Sequence, residues 1–151
     1  MQISENSHLP PTVELWGDPE SDLDRSFAME MFLGKTNEDI RPLLEFNYLV
    51  RCLDLKAMPD PVFEYYGIGF AEFLLGGPLD GERFGVFLGA FLDVTSCRRE
   101  YSPLFWLGFW RQSISLLKRL SDKLAACEMN SDTKSELIEE LDEIRSAILE
   151  S

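Results

Sequence analysis

Histidine is almost absent from this chain. His8 stands alone among 151 residues, so a Ser-His or Cys-His pair for nucleophilic catalysis has only that residue to use. Cysteine is sparse too. Cys52, Cys97 and Cys127 are odd in number, far apart and without a Cys-x-x-Cys pair. That pattern excludes an ordinary zinc site and fits reduced thiols in a cytoplasmic protein. Basic residues are scarce: 14 Lys and Arg stand against 27 Asp and Glu, a net charge of −13. Nucleic acid needs a Lys/Arg surface to neutralise its phosphates, so it is excluded as a partner. Anionic membrane surfaces are excluded on the same ground. No apolar run is long enough to span a bilayer, because Glu72 and Arg111 interrupt the longest ones. The opening Met-Gln-Ile-Ser-Glu-Asn has neither the basic nor the apolar region of a signal peptide. Strand-like alternation and internal repeats are also missing.

What is present is the material of a helical core. Hydrophobic residues make up 45% of the chain and include 11 Phe and 3 Trp, more than a disordered chain carries. The length suits one domain with a core of its own. Residues 1–19, with Pro10, Pro11, Gly17 and Pro19, read as an extended arm pinned by Val13, Leu15 and Trp16. Residues 20–151 then read as a single helical domain.

Helical spacing recurs along that domain. Ser21 or Asp22 caps a helix to about Leu33, with Leu23, Phe27 and Met31 as its core stripe and Gly34 as its stop. Thr36 caps the next, Pro42 kinks or restarts it, and Phe46, Leu49, Val50 and Leu53 carry it to Ala57. Asp60-Pro61 opens a helix bearing Val62, Phe63, Tyr66, Phe70, Phe73 and Leu74, with Tyr65 turned outward. Gly76-Gly77-Pro78 breaks the chain. Phe84, Phe87, Leu88, Phe91 and Leu92 form the next stripe, beside a row of Gly81, Gly85 and Gly89 expected to admit a neighbouring helix closely. Ser102-Pro103 opens one long helix to Cys127, striped by Trp106, Trp110, Ile114, Leu117, Leu120 and Leu124. Leu137, Leu141, Ile144 and Ile148 stripe the last helix. The expected fold is all-α, an irregular antiparallel bundle of about six or seven helices ending in a long helical hairpin.

The catalytic lookalikes fail on context. Gly34-Lys35-Thr36 matches the end of a P-loop, but Met29 stands where that loop needs glycine, and a helix precedes it instead of a strand. Ser115 and Lys118 have the spacing of a serine nucleophile motif without its Lys-Thr-Gly partner. Gly67-Ile68-Gly69 lacks the third glycine of a dinucleotide loop. The expectation is therefore a non-enzyme without metal or cofactor.

Charge is unevenly distributed. Residues 97–127 carry six bases and two acids, a net of +4, between strongly acidic flanks, so part of the charge is expected to pair internally. Two acidic groups remain as candidate contacts for a basic protein partner. One is Asp18, Glu20, Asp22 and Asp24. The other is Glu136, Glu139, Glu140 and Glu143, on one face of the last helix. Trp106 and Trp110, in a turn that is apolar all round, form either buried core or an exposed patch.

Residues 32–75 resemble a pattern in small uncharacterised bacterial helical proteins. It comprises Phe32 to Thr36, Asn47, Asp54-Leu55, Met58 and Phe63 to Tyr66, and covers about a third of the chain. That resemblance implies no catalytic residues. In its class features, small size, acidity and helical pattern, the chain is similar to bacterial immunity proteins. The similarity implies an inhibitor that neutralises a toxin domain through an acidic surface. A carboxylate-based enzyme and a structural, self-associating adaptor are the alternatives.

Overall fold

The computed structural model describes residues 9–77 and 79–151. Among the described residues it is all-α: eight α-helices, one 3-10 turn and no strand. The helices are α1 Val13–Trp16, α2 Leu23–Phe32, α3 Arg41–Ala57, α4 Asp60–Gly76, α5 Gly81–Tyr101, α6 Pro103–Gln112, α7 Ile114–Ala126 and α8 Ser131–Glu150. The chain divides into two compact units, one through Gly69 and one from Phe70 to Ser151.

The first unit is organised around aromatic rings. Of the arm expected over 1–19, residues 1–8 lie outside the described residues. The remainder makes the single turn of α1 and a 3-10 turn at Pro19–Ser21, and Trp16 is fully buried. The Trp16 and Phe32 rings lie 6.3 and 5.1 Å from that of Tyr66. The buried Tyr66 hydroxyl donates into the end of α2, with the carbonyls of Phe32 and Lys35 each at 2.6 Å. Asn37 then ties the following turn to α4: its Nδ2 donates to the Tyr65 carbonyl at 2.9 Å and its N–H to the Tyr65 hydroxyl at 3.2 Å. Tyr65 is thus half-buried and bonded, not turned outward. Gly69 makes room for this lock, because a Cβ there would fall 2.1 Å from Asn37 Oδ1.

Pro42 sits in the first turn of α3, where its missing N–H costs nothing; the helix expected from Thr36 begins only at Arg41, after a turn at 37–40. The kink comes instead at Asn47, whose backbone leaves the helical region at φ −159°, ψ 81°. Asn47 Oδ1 accepts from Val50 N at 3.2 Å and so acts as a cap for the second half of α3.

In the second unit the glycine row admits a close neighbour, but at Gly81 and Gly85 that neighbour is the connection after α7 and not a helix. A Cβ on Gly81 would strike the Glu128 carbonyl at 1.9 Å, one on Gly85 would meet the Met129 sulfur at 3.0 Å, and Gly89 faces Leu137. The α7–α8 connection and the start of α8 therefore lie close on α5. Lys134 donates to the carbonyls of Ala125 and Cys127 at 3.0 and 2.8 Å, closing the C-terminal end of α7 against α8. Lys123 donates to the Leu74 carbonyl and lies 4.8 Å from the Phe84 ring centre. The single helix expected from Ser102 to Cys127 is two: Ser113, buried at φ −104°, ψ 23°, separates α6 from α7. The final hairpin is therefore α7 with α8, and α6 packs on α8 separately. Ile114, expected in the core, follows that break and is 47% exposed.

Candidate partner-binding groove

Two apolar stripes marked by their helical spacing as core lie on the outside. On α2, Leu23 is 70% and Phe27 53% exposed, while Ala28, Met29 and Phe32 are buried. On α3, Phe46 is 91%, Leu49 43%, Val50 39% and Leu53 65% exposed; Leu44, Tyr48, Cys52 and Leu55 take the core face. The correction has one physical origin. Each helix carries more apolar residues than one face holds, and periodicity does not say which set the neighbours cover. On α2 the α4 contacts decide it. Tyr66 and the Asn37 turn hold the end of α2 with Phe32 inward, which leaves Phe27 outward.

The two outward stripes meet. A groove of about 510 Å³ lies between α2 and α3, lined by Phe27, Val50, Leu53 and Ala57 and bordered by Asp22, Asp24, Asp54 and Lys56. Three carboxylates face one ammonium at its edge. Asp22 also caps α2, where its Oδ1 accepts from Asp24 N at 2.9 Å and Arg25 N at 3.3 Å. Asp54 is half-sunk in the wall. Burial pushes its carboxyl above the ordinary value, and Arg51 opposes that shift. Arg51 Nε lies 3.2 Å from Asp54 Oδ2, within ion-pair range but off hydrogen-bond geometry. Asp54 Oδ2 is shut off from solvent, so this carboxylate adds negative charge to the border without offering that oxygen directly.

The sequence candidates fall in three places. Asp22 and Asp24 border the groove. Asp18 and Glu20 are exposed in the 3-10 turn just before α2, where Asp18 accepts from Glu20 N at 2.9 Å. Glu136, Glu139 and Glu143 are exposed on α8, in the other unit, and Glu140 beside them is half-buried. Burial, with Asp93, Glu143 and Glu136 nearby, raises the Glu140 carboxyl. Arg99, Glu139, Asp142, Glu143 and Glu150 line a second, polar groove there, and Arg99 stacks 4.5 Å over the Trp106 ring. Trp106 and Trp110 are buried and form no surface patch.

The lookalike motifs have structural roles. Gly34 takes φ 78° after α2, and Thr36 and Asp39 cap each other: Asp39 N donates to Thr36 Oγ1 at 3.1 Å, and Thr36 N to Asp39 Oδ2 at 3.0 Å. Those bonds, first the one from the Thr36 backbone, hold the Asp39 carboxyl below its usual value. Ser115 and Lys118 are exposed on α7. His8 lies outside the described residues. Among the described residues, no three His, Cys, Asp or Glu side chains are gathered to hold a metal ion, and no helix is long and apolar enough to cross a membrane.

Comparison with family models, curated proteins and solved structures gives no match in any of the three. The functional reading is therefore carried by the chain's own geometry. Sequence reasoning missed the groove, although Phe27, Val50 and Leu53 were all in view. The available signal was the surplus of apolar residues on α3, which has more than one buried face needs.

Proposed function

We propose that this protein is a non-enzymatic binding protein that captures a basic protein partner at the α2/α3 groove. The observation that carries the reading is the pair of exposed apolar stripes meeting at an acidic border. Contiguous apolar surface is costly to leave in water, and on soluble proteins it marks interaction sites. The surrounding carboxylates supply direction. A net charge of −13 attracts a cationic partner and speeds encounter toward about 10⁸ M⁻¹s⁻¹ at low salt. Its most concrete form is an inhibitor that neutralises a bacterial toxin, the role implied by similarity to immunity proteins.

The test is capture from the native host with the full chain and with a Phe27→Ser/Leu53→Ser variant, side by side. The reading expects a basic protein retained by the first and lost by the second, with association slowing as salt rises. Retention by both, or association indifferent to ionic strength, contradicts it.

A further inference from the structure

We propose that the groove accepts its partner as a cationic amphipathic helix, not as an extended segment or a second copy of this chain. The inference rests on the binding reading above and specifies its ligand.

The walls of the groove are helices. Their backbone is helical along α2 and along each half of α3 about the Asn47 break, so there is no sheet edge there to pair with an added strand. What the walls offer is side chains at helical spacing. On α3 these are Val50, Leu53 and Ala57, all after the Asn47 break; on α2, Phe27 follows Leu23 by one turn. Ridges of that spacing receive the ridges of another helix. From Val50 to Ala57 the floor rises about 10 Å, so about two turns of a ligand helix fill it.

Charge decides between a foreign helix and a second copy. Asp22, Asp24 and Asp54 outnumber Lys56 around the apolar floor. A second copy seated on the same surface brings these carboxylates onto their equals, and like charges there are repulsive. A helix with Lys or Arg flanking its apolar stripe instead places cations on all three. Asp22 and Asp24 are exposed and meet them directly, while Asp54, half-buried, acts through its charge.

The experiment uses the full chain and three synthetic peptides of equal length, followed through the methyl resonances of Val50, Leu53 and Ala57. The first peptide is a Leu/Lys helix with leucines at helical spacing. The second has the same composition with Leu and Lys alternating, which favours an extended form. The third replaces every Lys of the first by Glu. The expected result is that the Leu/Lys helix shifts all three methyl sets, the alternating peptide binds about tenfold more weakly or worse, and the Glu helix leaves them unmoved. In Phe27→Ser/Leu53→Ser the Leu/Lys helix is expected to lose at least about tenfold in affinity.

Equal or tighter binding by the alternating peptide at these methyls overturns the helical ligand while leaving the groove intact. Binding of the Glu helix there overturns the cationic assignment. Failure of every peptide to move these methyls, or undiminished binding to the double variant, overturns the groove reading itself. Sedimentation showing that the free chain dimerises, with Leu53→Ser abolishing the dimer, assigns the surface to a second copy and overturns the proposal.

Discussion

Single residues here carry opposite consequences for the same kind of change. Gly69 and Gly108 both lie inside helices. A Cβ on Gly69 runs into Asn37 and disrupts its bonds to Tyr65, whereas a Cβ on Gly108 meets nothing within 4 Å. Gly69→Ala is expected to destabilise by about 1–3 kcal/mol despite its better helix propensity. Gly108→Ala is expected to stabilise by about 0.5–1 kcal/mol. Chemical denaturation of the two variants, read as opposite signs, checks both. The same scale holds a pH prediction. The Glu140 carboxyl is raised in the folded state, so its ionised form opposes folding at neutral pH. Glu140→Gln should therefore raise the melting temperature at pH 7, and the gain should fade as acid protonates Glu140 in the parent. Asp39 has the opposite sign: its carboxyl is lowered, so its contribution is present above the ordinary carboxylate value and is lost as pH falls through the lowered one. Asp39→Asn should cost stability at pH 7, and that cost should vanish in strong acid.

At the scale of elements, caps explain where helices begin. Asp22, Asp80 and Asn130 each accept from backbone N–H groups of the first turn of α2, α5 and α8. Asp22→Ala is expected to cost about 1 kcal/mol in thermal or denaturant unfolding. Its second role at the groove border then predicts weaker partner capture beyond that loss. The Asp22 start and the stop at Gly34 were legible in the sequence because they depend on local chemistry; the caps at Asp80 and Asn130 were not singled out. Faces were less legible. The stripe on α4 was read correctly, with Val62, Phe63, Tyr66, Phe70 and Leu74 all at 1% exposure or less, because no second stripe competes with it. On α2 and α3 two apolar sets compete, and on α2 the choice is made by Tyr66, whose bond to Phe32 spans 34 residues of sequence. Asn47 and Ser113 were missed for a related reason. Neither is a Pro or Gly, and each break shows only in its backbone angles.

For the molecule as a whole, charge and surplus apolar surface belong together. A net charge of −13 opposes close approach of two copies through exposed Phe27, Phe46 and Leu53. The same repulsion burdens the fold, so added salt is expected to raise the melting temperature at neutral pH while slowing partner association. The account as a whole depends on the outward stripes of α2 and α3 being surface and not core. Denaturant unfolding of Phe27→Ser/Leu53→Ser beside Leu55→Ala tests this most directly. Leu55 is fully buried, and its truncation is expected to cost about 2–5 kcal/mol. The double variant is expected to cost less than about 1 kcal/mol with an unchanged denaturant slope. A loss in the double variant as large as that of Leu55→Ala would mean that these stripes are core, and would contradict the groove and the function built on it.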